Sequence, residues 1–106
     1  ENIIMTNGVA GGINIVLRAL LSPGDEVVIF APYYPAYVGF IENWSGKVIT
    51  VDPDGESFQP DFTELEDKIT ERTKIVIINS PHNPTGIIYT CDTAERLANV
   101  LEKKQH

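Results

Sequence analysis

The sequence is poor in cysteine, histidine and positive charge, and each shortage excludes a class of protein. Its one cysteine, Cys91, has no partner for an internal disulfide, which excludes a disulfide-stapled secreted domain and a zinc site built from several cysteines. Two histidines are too few for a histidine-rich metal centre, so we predict no metal site. Eight Lys and Arg residues stand against fifteen Asp and Glu, a net charge of −7, which argues against a nucleic-acid partner.

Long apolar runs are also missing. Gly, Pro or Asn interrupts every long uncharged stretch, so none reaches the roughly 18 consecutive apolar residues of a membrane-spanning helix. The first residues carry no basic segment of the kind that begins a signal peptide. We therefore expect a cytoplasmic protein without a membrane partner.

What the sequence does contain is a regular alternation of strand-like and helix-like segments. Its 106 residues allow one domain at most. Predicted strands cover residues 3–5, 27–30, 47–51 and 74–79, and predicted helices with apolar stripes cover residues 9–20, 37–44, 62–69 and 94–101. The second strand is continuously apolar, which is typical of a strand buried on both faces of a parallel sheet. The pattern predicts an α/β fold: four β-α units of a partial three-layer, mostly parallel sheet.

Helix ends are marked by turn and capping residues. Thr90 is predicted to cap the last helix, and Asp61 the third helix, with Glu64 as the reciprocal partner of a capping box. Gly46 is predicted at the C′ position of the second helix. Each loop after a strand should open at the carboxyl edge of the sheet, where α/β folds bind ligands.

The first of these loops, residues 6–12, is rich in glycine and leads into a helix. The free N–H groups at a helix start, together with the helix dipole, can hold a phosphate. The pattern matches neither the G-x-G-x-x-G fingerprint nor the P-loop. A tight turn with close helix packing is the alternative that the residues alone leave open.

Two further loops carry residues that could contact a ligand. Tyr33, Tyr34 and Tyr37 could stack on a flat ring, or could be amphipathic filler where a loop meets a helix. Pro84 favours an extended backbone at Asn83, which would direct the amide away from the strand end. A polar loop of turn-forming residues is the alternative for that segment.

Three other residues have side chains that are often functional, but nothing around them in the sequence supports a reactive role. No carboxylate or metal-ligand spacing surrounds His82, so we do not predict a catalytic histidine. Cys91 stands near a helix start and is interpreted as incidental. Trp44 lies on an apolar stripe and is predicted to be core.

Four motifs together resemble those of one family, in the same order and spacing and over the whole chain. They are Thr6-Asn7-Gly8, Pro23-Gly24-Asp25-Glu26-Val27, Pro32-x-Tyr34-x-x-Tyr37 and Asn83-Pro84-Thr85-Gly86. The family is that of the class I/II aminotransferases, the fold-type I pyridoxal-phosphate enzymes of the aspartate aminotransferase group.

The resemblance implies a set of cofactor-binding residues. The turn formed by Gly8, Val9 and Ala10 resembles the segment whose backbone amides hold the phosphate of pyridoxal 5'-phosphate. Tyr34 matches the aromatic residue that stacks on the pyridine ring. Asn83 matches the asparagine that hydrogen-bonds the 3′-oxygen of the ring.

The resemblance also implies features of the backbone. Cis peptide bonds are expected at Ala31–Pro32 and Asn83–Pro84. The predicted third, second and fourth strands should be neighbours in that order. The first strand would then have no partner, and an exposed apolar edge favours self-association or rearrangement of the fragment.

None of the five lysines matches the Schiff-base motif of the family, and no residue matches its ring-nitrogen aspartate or its carboxylate-binding arginine. We therefore expect residues 1–106 to be an incomplete large domain, without the catalytic-lysine segment or the small C-terminal domain, and inactive alone. The parent protein is expected to be a homodimer that transfers an amino group between an amino acid and a 2-oxo acid in amino-acid metabolism and biosynthesis. The alternatives are a carbon–sulfur lyase, an enzyme similar to aminocyclopropanecarboxylate synthase, a non-catalytic phosphate-binding module and an interaction domain.

Overall fold

The computed structural model describes residues 2–55 and 57–104, which form three strands and four helices. The elements in chain order are α1 (Gly8–Leu20), β1 (Glu26–Phe30), α2 (Ala36–Asn43), β2 (Lys47–Val51), α3 (Phe62–Lys68), β3 (Thr73–Val76) and α4 (Cys91–Lys103). The strands make one parallel sheet in the order β2-β1-β3. This confirms the α/β class and the predicted neighbours of the central strand.

The central strand β1 is buried along its whole length because helices cover both faces of the sheet. Val27 and Ile29 pack into a cluster with residues of α1 and α2. Val28 and Phe30 point to the opposite face and pack against α3 and α4. The alternation of side chains along a strand thus supplies two separate cores, and the molecule has three layers.

The strand predicted at residues 3–5 does not form. Ile3, Ile4 and Met5 lie in irregular backbone and are 89%, 79% and 90% exposed. A short apolar run becomes a strand only where a neighbouring strand supplies hydrogen-bond partners, and none of the described residues does so here. The sheet therefore has three strands among the described residues where four were predicted.

The fourth predicted strand forms but is shorter than expected. It ends at Val76, whereas the apolar pattern extended it to Asn79. The N–H of Ile77 still donates to the carbonyl of Val28 at 2.9 Å, so the backbone follows β1 for one further residue before it turns away.

The predicted helix caps form, but the capping box does not close. The Thr90 hydroxyl accepts from the N–H of Thr93, and the Asp61 carboxylate accepts from the N–H of Glu64, both at 3.1 Å. The Glu64 carboxylate instead accepts from the N–H of Asp52 at 2.9 Å. The N–H of Asp61 already donates to the Asp52 carbonyl, so Glu64 ties the helix to the preceding loop.

The inner face of α4 is rotated from the predicted stripe. Of that stripe only Leu97 is buried, and its companions are Thr93 and Val100. Val100 removes more apolar area from water than an alanine can. The hydroxyl of Thr93 donates to the Gln59 side chain at 2.5 Å, which makes its burial acceptable.

Gly46 is required for room and not as a left-handed helix cap. The helix cap is Trp44, so the next residue, Ser45, occupies C′ and takes the positive φ of 62°. A Cβ on Gly46 would lie 2.9 Å from side-chain carbons of both Ile41 and Leu21. Trp44, as predicted, packs against the core, in the cluster of apolar residues that contains Ile41.

We expect Gly46→Ala to lower the free energy of unfolding of the full-length protein by about 1–3 kcal/mol, because the added methyl overpacks this junction. Gly39→Ala is the matched control: a Cβ there meets nothing within 4 Å, and alanine favours helix by up to about 1 kcal/mol. Urea unfolding followed by circular dichroism measures both. A Gly46→Ala protein as stable as wild type would contradict the packing described here.

Candidate functional site

Three chain segments meet at the carboxyl edge of the sheet and enclose a cleft of about 410 Å³. They are the start of α1, the loop after β1 that continues into α2, and the loop after β3. The cleft is lined by Val9, Ala10, Ile13, Tyr34, Tyr37, Phe40, Asn79, Pro81 and Asn83. Four of the five predicted site residues are therefore brought together in one cleft. The fifth, Gly8, is adjacent in sequence as the first residue of α1.

The start of α1 presents backbone N–H groups without a side-chain cap. Asn7 occupies the N-cap position but makes no capping hydrogen bond. Gly8 has a φ of 76°, and its carbonyl accepts from the Thr6 hydroxyl at 2.9 Å. Helix geometry gives the N–H groups of Val9 and Ala10 no partner inside the helix. Donors at a helix start, with the positive end of its dipole, suit an anionic group.

The loop after β1 places an aromatic ring at the cleft. Tyr34 is 42% exposed, and its ring meets the Tyr37 ring edge to face, with centroids 5.6 Å apart. Tyr37 is only 9% exposed. Burial, and to a lesser degree the neighbouring Tyr34, raises the pKa of the Tyr37 phenol. The Ala31–Pro32 bond at the start of this loop is cis, as predicted.

The loop after β3 contributes two asparagines. The N–H of Asn83 donates to the Asn79 side-chain carbonyl at 2.9 Å, so Asn79 orders the backbone that carries Asn83. The Asn83–Pro84 bond is cis, as predicted, and Ser80–Pro81 is also cis, which was not predicted. Asn79 was missed as a site residue. Its place at the end of an apolar strand, four residues before Asn83, was the available signal.

His82 does not line the cleft. It is 6% exposed, with its Nε2 2.6 Å from the Pro32 carbonyl oxygen and its Nδ1 3.2 Å from the Tyr89 hydroxyl. Burial, and secondarily Tyr37, raises the pKa of Tyr89. The histidine therefore connects the two loops without lining the cleft.

A larger apolar groove of about 490 Å³ lies between residues 4–6, α1 and β3. It is larger in volume than the cleft at the carboxyl edge but presents almost no hydrogen-bonding groups, so it is less suited to chemistry. The predicted inner stripe of α1 is wrong over this part: Val9, Val16 and Leu20 are 78%, 48% and 50% exposed, and Leu17 is buried. The three strands of the sheet do not cover this part of α1, so these three side chains stay in contact with water.

The part of the chain that the structure describes contains neither a metal-binding cluster nor a membrane-spanning helix. Within residues 2–55 and 57–104, no grouping of three or more His, Cys, Asp or Glu side chains could hold a metal ion. In the same part of the chain, no helix combines the length and apolar character needed to cross a membrane.

The family model and the similar curated proteins indicate the same family. The model of the family "Aminotransferase class I and II" matches residues 1–106. A probable kynurenine–oxoglutarate transaminase of Saccharomyces cerevisiae is 39% identical over 97% of this chain and 26% of its own length. An alanine aminotransferase of Mycobacterium tuberculosis is 35% identical over 99% of this chain and 25% of its own length. The chain thus spans about a quarter of the length of these curated relatives.

Solved structures agree with the sequence comparison. The crystal structure of an aminotransferase from Eubacterium rectale superposes with a TM-score of 0.90 at 43% identity, covering 93% of this chain and 25% of that one. The fold and the sequence are therefore similar to the same group of proteins.

The raised pKa values of Tyr37 and Tyr89 predict a loss of stability at high pH. Each phenol keeps its proton more firmly when folded than when unfolded, where its pKa is about 10. Above that pH the folded state binds more protons, so the free energy of unfolding falls as pH rises through the folded pKa. Denaturant unfolding of the full-length protein at increasing alkaline pH should show this fall, weakened in Tyr37→Phe and Tyr89→Phe. Equal slopes in wild type and both variants would contradict it.

Proposed function

Because the chain belongs to the class I and II aminotransferase family, we propose that the protein carrying it transfers an amino group between an amino acid and a 2-oxo acid. The cleft that gathers Val9, Ala10, Tyr34 and Asn83 at one sheet edge is the observation that supports this proposal most strongly. The similar proteins are named as transaminases of kynurenine and of alanine, which favours amino transfer over the lyase and binding-module alternatives. Their substrates differ, so the amino donor stays open.

The cofactor in this proposal is pyridoxal phosphate, and the residues at the cleft fit it. The start of α1 offers backbone donors and a helix dipole for the phosphate, with no side-chain cap in the way. The cleft volume of about 410 Å³ suits a small organic ligand. When bound, pyridoxal phosphate supplies an electron sink for bonds at the substrate α-carbon.

In this arrangement three groups of the chain orient the cofactor. The N–H groups of Val9 and Ala10 are proposed to face the phosphate, which would fix the cofactor at one end. The N–H of Gly8 donates to the Thr6 carbonyl at 3.0 Å, so Gly8 would shape the turn and would not bind the phosphate directly. Tyr34 would cover one face of the ring, and the edge-to-face contact with Tyr37 would support it there. Asn83 would donate its side-chain N–H to the ring oxygen.

The reacting groups are proposed to come from other parts of the protein. None of the lysines among the described residues lines the cleft. We propose that residues 1–106 are one portion of a larger cofactor-binding domain in a cytoplasmic homodimer with a role in amino-acid biosynthesis. The relatives, about four times as long as the matched segment, support the first part of this proposal.

The exposed apolar groove of α1 supports a related proposal about the isolated chain. Residues 3–5 and the outer face of α1 would be covered in the whole protein, whereas the 106-residue chain alone exposes them. Large exposed apolar patches and unpaired edges favour association.

We predict that the isolated 106-residue chain self-associates, because burying these apolar residues against a second copy removes them from water. Analytical ultracentrifugation over a range of concentrations measures the association. Val9→Ser with Val16→Ser should shift it toward monomer, and Ala98→Ser, on an exposed position of α4, is the control. A chain that stays monodisperse and monomeric at all concentrations would contradict the prediction.

The activity is tested with the full-length protein, pyridoxal phosphate, 2-oxoglutarate and a panel of amino acids that includes alanine, aspartate and kynurenine. We expect glutamate to form with at least one donor, and we expect no turnover by the isolated 106-residue chain. Release of ammonia, a thiol and a 2-oxo acid from added cystathionine, without glutamate from any donor, would favour a carbon–sulfur lyase and overturn the proposal.

The binding roles are tested by substitution. Tyr34→Ala should raise the Kd for pyridoxal phosphate about tenfold, since a stacked ring is worth roughly 1–3 kcal/mol, whereas Tyr34→Phe should change it little. Asn83→Ala should also raise it about tenfold through the lost hydrogen bond. Asn99→Ala, on α4 at the other face of the sheet, is the control. Absorbance titration measures each Kd, and unchanged values for Tyr34→Ala and Asn83→Ala would remove these residues from the site.

A further inference from the structure

We propose that His82 is a positioning residue that sets the distance between the two loops of the site, one carrying Tyr34 and the other carrying Asn83. This inference rests on the proposed function. It gives a structural role to a buried histidine that does not line the cleft.

The imidazole joins the two loops through Nε2, while Nδ1 bonds within the segment after β3 that carries His82 itself. Nε2 lies 2.6 Å from the carbonyl oxygen of Pro32, two residues before Tyr34. Nδ1 lies 3.2 Å from the hydroxyl of Tyr89. His82 itself immediately precedes Asn83, so a single side chain connects the ring-stacking loop to the asparagine loop across 50 positions of sequence.

The chemistry of these partners fixes the tautomer. A backbone carbonyl only accepts hydrogen bonds, so the Nε2 of His82 must carry the proton and donate to Pro32. In the neutral ring Nδ1 then holds a lone pair and accepts from Tyr89. The Tyr89 phenol is protonated at neutral pH and so is able to donate.

The backbone of His82 is held as firmly as its ring. Its N–H donates to the Ile87 carbonyl at 2.7 Å, and its carbonyl accepts from the N–H of Gly86 at 2.6 Å. The ring stacks on Tyr89, with centroids 5.6 Å apart and planes inclined by 30°. The imidazole therefore cannot rotate without breaking several contacts at once, and it acts as a rigid spacer.

This geometry explains why a polar residue occupies a buried position between the loops. An apolar side chain would fill the space but leave the Pro32 carbonyl without its donor. The loop that carries Tyr34 would then lose its hydrogen bond to the residue next to Asn83. Small displacements of positioning groups weaken ligand binding even when the ligand contacts themselves are retained.

The test compares two amide substitutions in the full-length protein. The side-chain nitrogen of Gln can take the place of Nε2 and donate to Pro32, whereas the shorter Asn places its nitrogen near the position of Nδ1 and cannot. We expect His82→Asn to raise the Kd for pyridoxal phosphate about tenfold and His82→Gln to stay within about threefold of wild type. Val100→Ala, in the core of the opposite sheet face, is the matched control for lost stability.

The outcomes separate positioning from general stability. Equal Kd values for His82→Asn and wild type would overturn the inference, as would an equal loss for Asn, Gln and Val100→Ala. Nitrogen NMR of histidine-labelled, cofactor-free full-length protein gives a second readout, and we expect His82 to be protonated at Nε2. Protonation at Nδ1 would overturn the bridge.

The same pair of readouts distinguishes this inference from the proposed function. Wild-type protein that fails to bind pyridoxal phosphate would overturn the proposed function and the cofactor role of His82 with it. The tautomer would in that case still confirm or refute the link between the loops.

Discussion

The burial of strand β1 on both faces is the constraint on which the rest of the structure depends. Val27, Val28 and Ile29 are completely inaccessible to water, and both edges of the strand are paired, to β2 and to β3. Alternate side chains feed two separate cores, so a shift of one residue would exchange them between the faces. A strand held in this way fixes the register of its neighbours, and parallel neighbours bring their carboxyl ends to one edge.

The polar residues of the site follow from that edge. Asn79 and Asn83 lie just beyond the apolar part of β3, and Tyr34 lies just beyond β1, so the sheet holds them in place without burying their polar groups. His82 is the exception, because it is buried, yet both of its ring nitrogens have hydrogen-bond partners. A buried polar side chain with all its partners present can specify the relative position of two loops, which an apolar contact does with less precision.

The sequence patterns correctly predicted features that depend on residues close together in the sequence. They failed where the structure depends on contacts between residues far apart in the sequence. Residues 27–30 and 3–5 look alike as short apolar runs, yet only the first has strands on both sides. Glu64 has the spacing of a capping-box partner, but its carboxylate accepts from the N–H of Asp52 instead. The bond between His82 and Pro32 spans 50 residues and has no local signature. The site residues themselves came from the ordered motifs of a family, and geometry then brought four of them to one cleft.

We propose that the carboxyl edge of this sheet holds pyridoxal phosphate, with the start of α1 at its phosphate. A crystal structure of the full-length protein soaked with the cofactor tests this most directly. We expect phosphate oxygens within hydrogen-bond distance of the backbone N–H groups of Val9 and Ala10. We also expect the ring against Tyr34 and the Asn83 side chain at the ring oxygen. A cofactor bound elsewhere, or with its phosphate away from α1, would refute this assignment.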